Sequence, residues 1–212
     1  MLEDIHWLGH DSFRLDGSVT VYIDPWKLPA NQPVAGVILV THEHFDHLSL
    51  PDVEKVSGPD TVLIGPAPVT AQVDAVATVT LAPGESADVS GVQVTAVPAY
   101  NVDKFRAPGA PYHPREAGGV GFVVSLDGVR YYHAGDTDAV PEMADVHCEV
   151  ALLPVGGKFT MTAEEAVGAC ELIDAAAAVP MHYGEVIGDV RDAERFRDRC
   201  RIPVTILPLE GA

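Results

Sequence analysis

Basic residues are scarce in this chain: 13 Lys and Arg stand against 31 Asp and Glu over 212 residues, a formal net charge of −18 with histidine neutral. A surface this acidic repels phosphate backbones and anionic lipid, so neither nucleic acid nor a membrane surface is an expected partner. Cysteine is scarcer still. Cys148, Cys170 and Cys200 form an odd set without CxxC spacing, which argues against a disulfide framework and for a reducing, cytoplasmic setting. No apolar run approaches the ~18 residues that cross a bilayer, and Glu3 and Asp4 stand where a signal peptide carries positive charge. Aromatic residues amount to 7% and form no helical stripe of the kind that lines a cofactor box. What is present is 47% hydrophobic and 21% charged, ample for a buried core, and the length suits one domain spanning 1–212.

Short β-patterned runs occupy residues 12–15, 19–23, 37–41, 61–64, 92–97, 120–126 and 129–133. Asp16-Gly17 and Asp127-Gly128 lie between such runs and predict tight hairpin turns, since Gly accepts positive φ without steric cost. The last third alternates instead: a helix over 163–178 opened by a Thr162/Glu165 capping box, an extended run over 178–182, a helix over 190–200 and an extended run over 204–207. This pattern predicts an α/β protein whose helices cover sheets. Residues 100–118 have no period and contain three prolines, which suits a lid over a site or a surface excursion.

The chemistry concentrates in Thr41-His-Glu-His-Phe-Asp-His47, placed where the apolar run 37–40 ends. Three imidazoles and a carboxylate so close together are costly unless a divalent ion organises them. His42 and His44 alternate and so point the same way from an extended strand end, while Asp46 and His47 follow as the chain turns towards a second position. One short segment thus supplies two adjacent metal sites.

His42-x-His44-x-Asp46-His47 resembles the signature of the metallo-β-lactamase superfamily, and the resemblance extends along the chain. His133-Ala-Gly-Asp136-Thr137 is similar to the family's later motif, Pro180-Met-His182-Tyr-Gly184 to the one supplying a further histidine, and Trp7-Leu-Gly-His10-Asp-Ser-Phe13, Pro154-Val-Gly-Gly157 and Thr160-Met-Thr-Ala-Glu-Glu165 to one branch of metal-dependent hydrolases related to ascorbate-phosphate lactonase. The resemblance implies a four-layer αββα sandwich with two divalent ions, zinc first and manganese, iron or nickel as alternatives. His42, His44 and a third histidine would hold one ion, Asp46, His47 and His182 the other, and Asp136 would bridge them. Where the family places that third histidine this chain has Asn101, so His113, within the lid, is the expected ligand, ahead of Asn101 or a water. His10 is expected either to touch substrate or to be a structural turn residue, and His133 either to hold the Asp136 carboxylate or to be a buried hydrogen-bonded histidine.

Against the acidic background, Lys104, Arg106 and Arg115 of the lid and Lys158 after the Gly pair are expected around a small anionic substrate. The Arg191 to Arg201 cluster suits a solvated helix face. The expected activity is hydrolysis of an ester, lactone or phosphodiester by metal-bound hydroxide, with Asp46 catalytic. The alternative is a metal-binding or redox protein on the same fold. A homo-oligomer is compatible with the sequence.

Overall fold

The computed structural model describes residues 2–211. Its first sheet runs β1 (Ile5–Gly9), β2 (Ser12–Leu15), β3 (Val21–Ile23), β4 (Val37–Leu39), β5 (Val62–Gly65) and β6 (Ala77–Thr80), in sequence order. The second is built from β7 (Ser86–Val89), β8 (Val92–Pro98), β11 (Val120–Leu126), β12 (Val129–His133), β13 (His147–Pro154) and β14 (Asp174–Met181), with a separate hairpin of β9 (Phe105–Ala107) and β10 (Ala110–Pro111) between β8 and β11.

Alternation along the strands makes the layers. Val21 and Ile23 of β3 and Val37 and Leu39 of β4 share the large core with Val94 of β8 and Phe122 of β11, whereas Tyr22 and Ile38 face a smaller core with Val53, Val56 and Val69. Those last three belong to helices α1 (Leu50–Val56) and α2 (Ala67–Thr70). Helices α3 (Ala163–Leu172) and α4 (Val190–Arg199) pack on β13 and β14 of the other sheet. The result is the expected αββα sandwich, both sheet faces being apolar because both are covered.

Strand direction explains where a site can form. β3, β4, β5 and β6 run parallel, and β1 shares their direction because two antiparallel pairings separate it from β3. By the same reasoning β8, β12, β13 and β14 run together in the second sheet. The C-terminal ends of these strands collect along one edge of each sheet, the usual place for a site in sheets of this kind.

Several elements differ from the sequence expectation. The helix expected over 163–178 stops at Leu172, and the alanine-rich continuation pairs in parallel with β13 from Asp174 onward. Alanine is the best intrinsic helix former, but such a preference is worth less than about 1 kcal/mol per residue, and a place in a buried sheet overrides it. Asp127-Gly128 forms the tight turn, with φ of 50° and 82°, but residues 16–20 make a longer loop held by Ser18, whose N–H and hydroxyl donate to Asp127 at 2.6 Å each. The expected strand over 204–207 is reduced to a single bridge from Val204 to Ala178.

Phe122 is fully buried in the core joining the sheets, so Phe122→Ala should cost about 3–5 kcal/mol in a urea titration. Val34→Ala, at a side chain 61% exposed, should stay within about 0.5 kcal/mol.

Candidate metal centre

Loops leaving β1, β3, β4, β8, β12 and β14 bring six histidines and four aspartates together. His42 and His44 follow β4, and His113 reaches them from the segment after β10. His42 Nε2 lies 2.9 Å from His44 Nδ1, and His113 Nε2 lies 3.3 Å from the same atom. These three form one donor cluster; His42, His47 and Asp136 form a second; His10, Asp11, His47 and His182 form a third, each with its donor atoms within 4.8 Å of one another. Asp136 stands between: its Oδ2 is 3.2 Å from His113 Nε2 and 3.3 Å from His182 Nε2, and its Oδ1 is 3.4 Å from His47 Nε2.

Neighbouring groups fix these rings. Asn101 Oδ1 accepts from the His113 backbone N–H at 2.8 Å and from its Nδ1 at 3.0 Å, which leaves Nε2 as the free donor atom facing the cluster. Asn101 is itself held by Phe159 O and Asp138. Asn101 therefore orients the His113 ring. Asp24 does the same for His47, with Oδ2 2.7 Å from Nδ1 while it also accepts from the Thr41 N–H and hydroxyl. Asp24 was not among the expected residues, although it ends an apolar strand just as His42 does. His133 accepts from the Gly135 N–H and places Nε2 2.9 Å from the Asp11 carbonyl; it fixes two backbones and leaves the Asp136 carboxylate alone. At Gly135 (φ 65°) a Cβ would stand 2.7 Å from Val120 O, so only glycine lets the chain turn there to present Asp136. His10, Asp24 and His182 hold φ of 52°, 46° and 57°, strain of a kind that gathers at functional sites.

Burial and charge act together on protonation. Burial holds His42 well below the usual imidazole value and lowers His113 too. Burial also pulls on His182, but Asp136 and Asp11 outweigh it and push His182 up to about 9. The Asp136 carboxyl is held well below its ordinary range by His182, His47 and His113 despite its burial.

The donor set fits divalent ions, and the unpartnered atoms say so most directly. His10 Nδ1, both oxygens of Asp11, His47 Nε2, Asp136 Oδ1 and His182 Nδ1 are buried without a hydrogen-bond partner. Polar atoms shut away from water are costly when unpaired. Among these, His47 Nε2 faces Asp136 Oδ1 at 3.4 Å and Asp11 Oδ2 at 3.5 Å without aligning as hydrogen bonds, as ligands do when they converge on a common point.

The cluster opens on two adjoining clefts of about 290 and 310 Å³, both lined by His44, Arg106, Tyr112, His113 and Asp136. The lid segment is thus a wall of the site, and it contains a hairpin where no periodicity was visible. Of the four cations expected around a substrate, Arg106 alone lines these clefts. Lys104 is bound by Asp103, Glu165 and Asp138, Arg115 pairs with Glu142, and Lys158 lies over the Phe159 ring. Charge in the sequence marked them without showing their partners. His10 is fully buried behind Asp46, its Nε2 3.3 Å from Asp46 Oδ2, and lines neither cleft. Asp46 lines the second cleft and belongs to none of the three donor clusters.

Comparison with known proteins agrees with this geometry. Residues 4–182 match the Beta-lactamase superfamily domain. A UPF0173 metal-dependent hydrolase of Methanoculleus marisnigri is 36% identical over 199 residues, spanning 90% of this chain and 85% of the relative, and one of Methanopyrus kandleri is 38% identical over 210 residues, spanning 91% and 89%. A crystal structure from Parabacteroides distasonis, described as a metal-dependent hydrolase, superposes with a TM-score of 0.85 at 30% identity, covering 97% of this chain and 93% of that one. The chain belongs to the beta-lactamase superfamily, among its metal-dependent hydrolases.

Proposed function

We propose that the chain, as one domain spanning 1–212, hydrolyses an ester, lactone or phosphodiester bond in a small anionic molecule, using two divalent ions. The observation that carries this reading is the set of buried, unpartnered imidazole and carboxylate atoms beneath a cleft whose lining contains one cation, Arg106. His42, His44 and His113 would hold one ion, Asp46, His47 and His182 the other, and Asp136 lies between them. Imidazole-rich donors favour zinc, with manganese, iron and nickel as alternatives. When bound, such ions supply Lewis acidity for a carbonyl or phosphoryl oxygen and make water acidic enough to lose a proton near neutral pH.

The side chains do the rest. Burial opposes ionisation of Asp46, but its hydrogen bond with His10 outweighs burial and keeps the carboxyl below its ordinary value, so it stands ionised at the wall of the cleft. Arg106 donates to Tyr112 O at 2.8 Å, which steadies its guanidinium at the cleft wall for an anionic group of the substrate. Phe45 and Val186 add an exposed apolar rim.

The test is a panel of chromogenic esters, lactones and phosphodiesters assayed with zinc-loaded protein near pH 7.5. Turnover in one class, abolished by chelator and restored by metal, is expected. Absence of turnover in all three by protein with both ions bound would favour a metal-binding role instead. Arg106→Ala should raise KM for the anionic substrate roughly tenfold, the loss of about one charge-assisted hydrogen bond, with kcat little changed. An equal fall in kcat would move Arg106 into the chemistry.

A pH effect follows from His182. Its value of about 9 lies above the ordinary 6.5, so the metal-free protein keeps that proton until pH rises through about 9, and an ion taken up there displaces it. Calorimetric zinc titrations at pH 7.5 in two buffers of different ionisation enthalpy should show proton release that fades above pH 9. Heats that do not depend on the buffer would contradict this.

A further inference from the structure

We infer that the second cleft binds an apolar alkyl or aryl arm of the substrate against Phe45, Phe159 and Val186, so that the molecule turned over is an amphiphile: an apolar arm in this cleft, the scissile group over the metal donors, and an anionic group at Arg106. The inference rests on the hydrolytic reading above and names the substrate class within it.

The two clefts share His44, Arg106, Tyr112, His113 and Asp136 and differ beyond them. The first continues past Glu43, Ala117 and Gly119, a carboxylate and two positions with little or no side chain. The second continues past Phe45, Phe159 and Val186, and it also holds Asp46 and His182. Donors for both ions therefore open into the second cleft, and a molecule engaged over them directs its next substituent along three apolar side chains.

Phe45 is 69% exposed, although Asp46, His47 and Leu48 directly after it are buried. A ring left in water beside the metal donors adds nothing to either core, and covering it with an apolar group is favourable. The walls around it are braced. Phe45 meets Trp26 edge-on with ring centroids 6.0 Å apart, Lys27 Nζ lies 4.1 Å over the Trp26 ring, and Lys27 pairs at 2.5 Å with Glu185, the residue before Val186. Loops after β3, β4 and β14 are thus tied into one wall. From the lid, Tyr112 meets Phe159 edge-on at 4.8 Å, and Arg106 donates to Tyr112 O. Walls held in this way need little ordering when an apolar group settles on them. A second copy of the chain could also cover an apolar patch, but a net charge of −18 on each copy opposes self-association, and a cleft of about 310 Å³ has the size of a small-molecule site.

The experiment titrates zinc-loaded protein with sodium acetate, butanoate, hexanoate, octanoate and 3-phenylpropanoate, followed by the intrinsic fluorescence that Trp26 reports from beside Phe45. Affinity should rise roughly two- to fourfold per added methylene from butanoate to octanoate. Phe45→Ser and Val186→Ser should each weaken octanoate roughly fivefold, the effect of uncovering part of an apolar side chain, and leave acetate unchanged. Val34→Ser, exposed and outside both clefts, should match wild type throughout. Tight binding of either octanoate or 3-phenylpropanoate supports the inference, and their ranking tells an alkyl arm from an aryl one. Affinity that does not change with chain length would overturn it. So would a trend that is equal in wild type and both variants, because the tail would then lie in another groove, such as the one of about 450 Å³ beside β8 and β11. A wild type that sediments as a dimer and is dissociated by Phe45→Ser would also contradict it, since a second copy would then cover the patch. The expected trend in protein that turns over no ester, lactone or phosphodiester would overturn the hydrolytic reading, and with it the substrate class, while leaving the apolar site in place.

Discussion

Ionisable groups closed off from water must be neutralised in place, and in this protein that constraint organises everything near the site. Asp11, Asp24 and Asp136 crowd against His42, His47, His113 and His182 at the joined edge of two sheets, with little or no exposure. Hydrogen bonds between them satisfy Asp24, but they leave the atoms that point inward unpaired. Divalent cations are the economical solution, because one ion serves several of those atoms together.

The sandwich provides this arrangement through strand direction. Parallel neighbours release their chains on the same side, so residues far apart in sequence, such as Asp11, His42, Asp136 and His182, need only follow a strand end to meet. Rigid partners then set each ring. Asp24 orients His47, Asn101 orients His113, and His133 ties the Asp11 turn to the Gly135 loop across the two sheets. The lid is part of the same framework, since Asp138 accepts from the backbone N–H groups of Val102 and Asp103 at its base. Arg106, Tyr112 and Phe45 line the clefts above this framework.

The parts of the site that could be read from sequence were those encoded locally. His42, His44 and His47 sit within one short motif at a strand end, and Asp136 and His182 repeat that placement, so spacing and context were enough to bring them together. The fold class followed from strand punctuation for a similar reason. Asp11 and Asp24 left no such trace, because a single carboxylate beside a turn gains meaning only when distant histidines face it. The same applies to Lys104 and Arg115: their charge was visible, but Glu165, Asp138 and Glu142, which neutralise them, lie far along the chain. In the alanine-rich stretch after Leu172, pairing with β13 prevailed over local helix preference, and no window of sequence contains that competition.

Anomalous diffraction from crystals grown with zinc, recorded on both sides of the zinc absorption edge, tests the central claim most directly. Two peaks are predicted, one among His42, His44 and His113 and the other among Asp46, His47 and His182, with the Asp136 carboxylate between them. A well-ordered crystal with no anomalous density in this cluster would contradict the account.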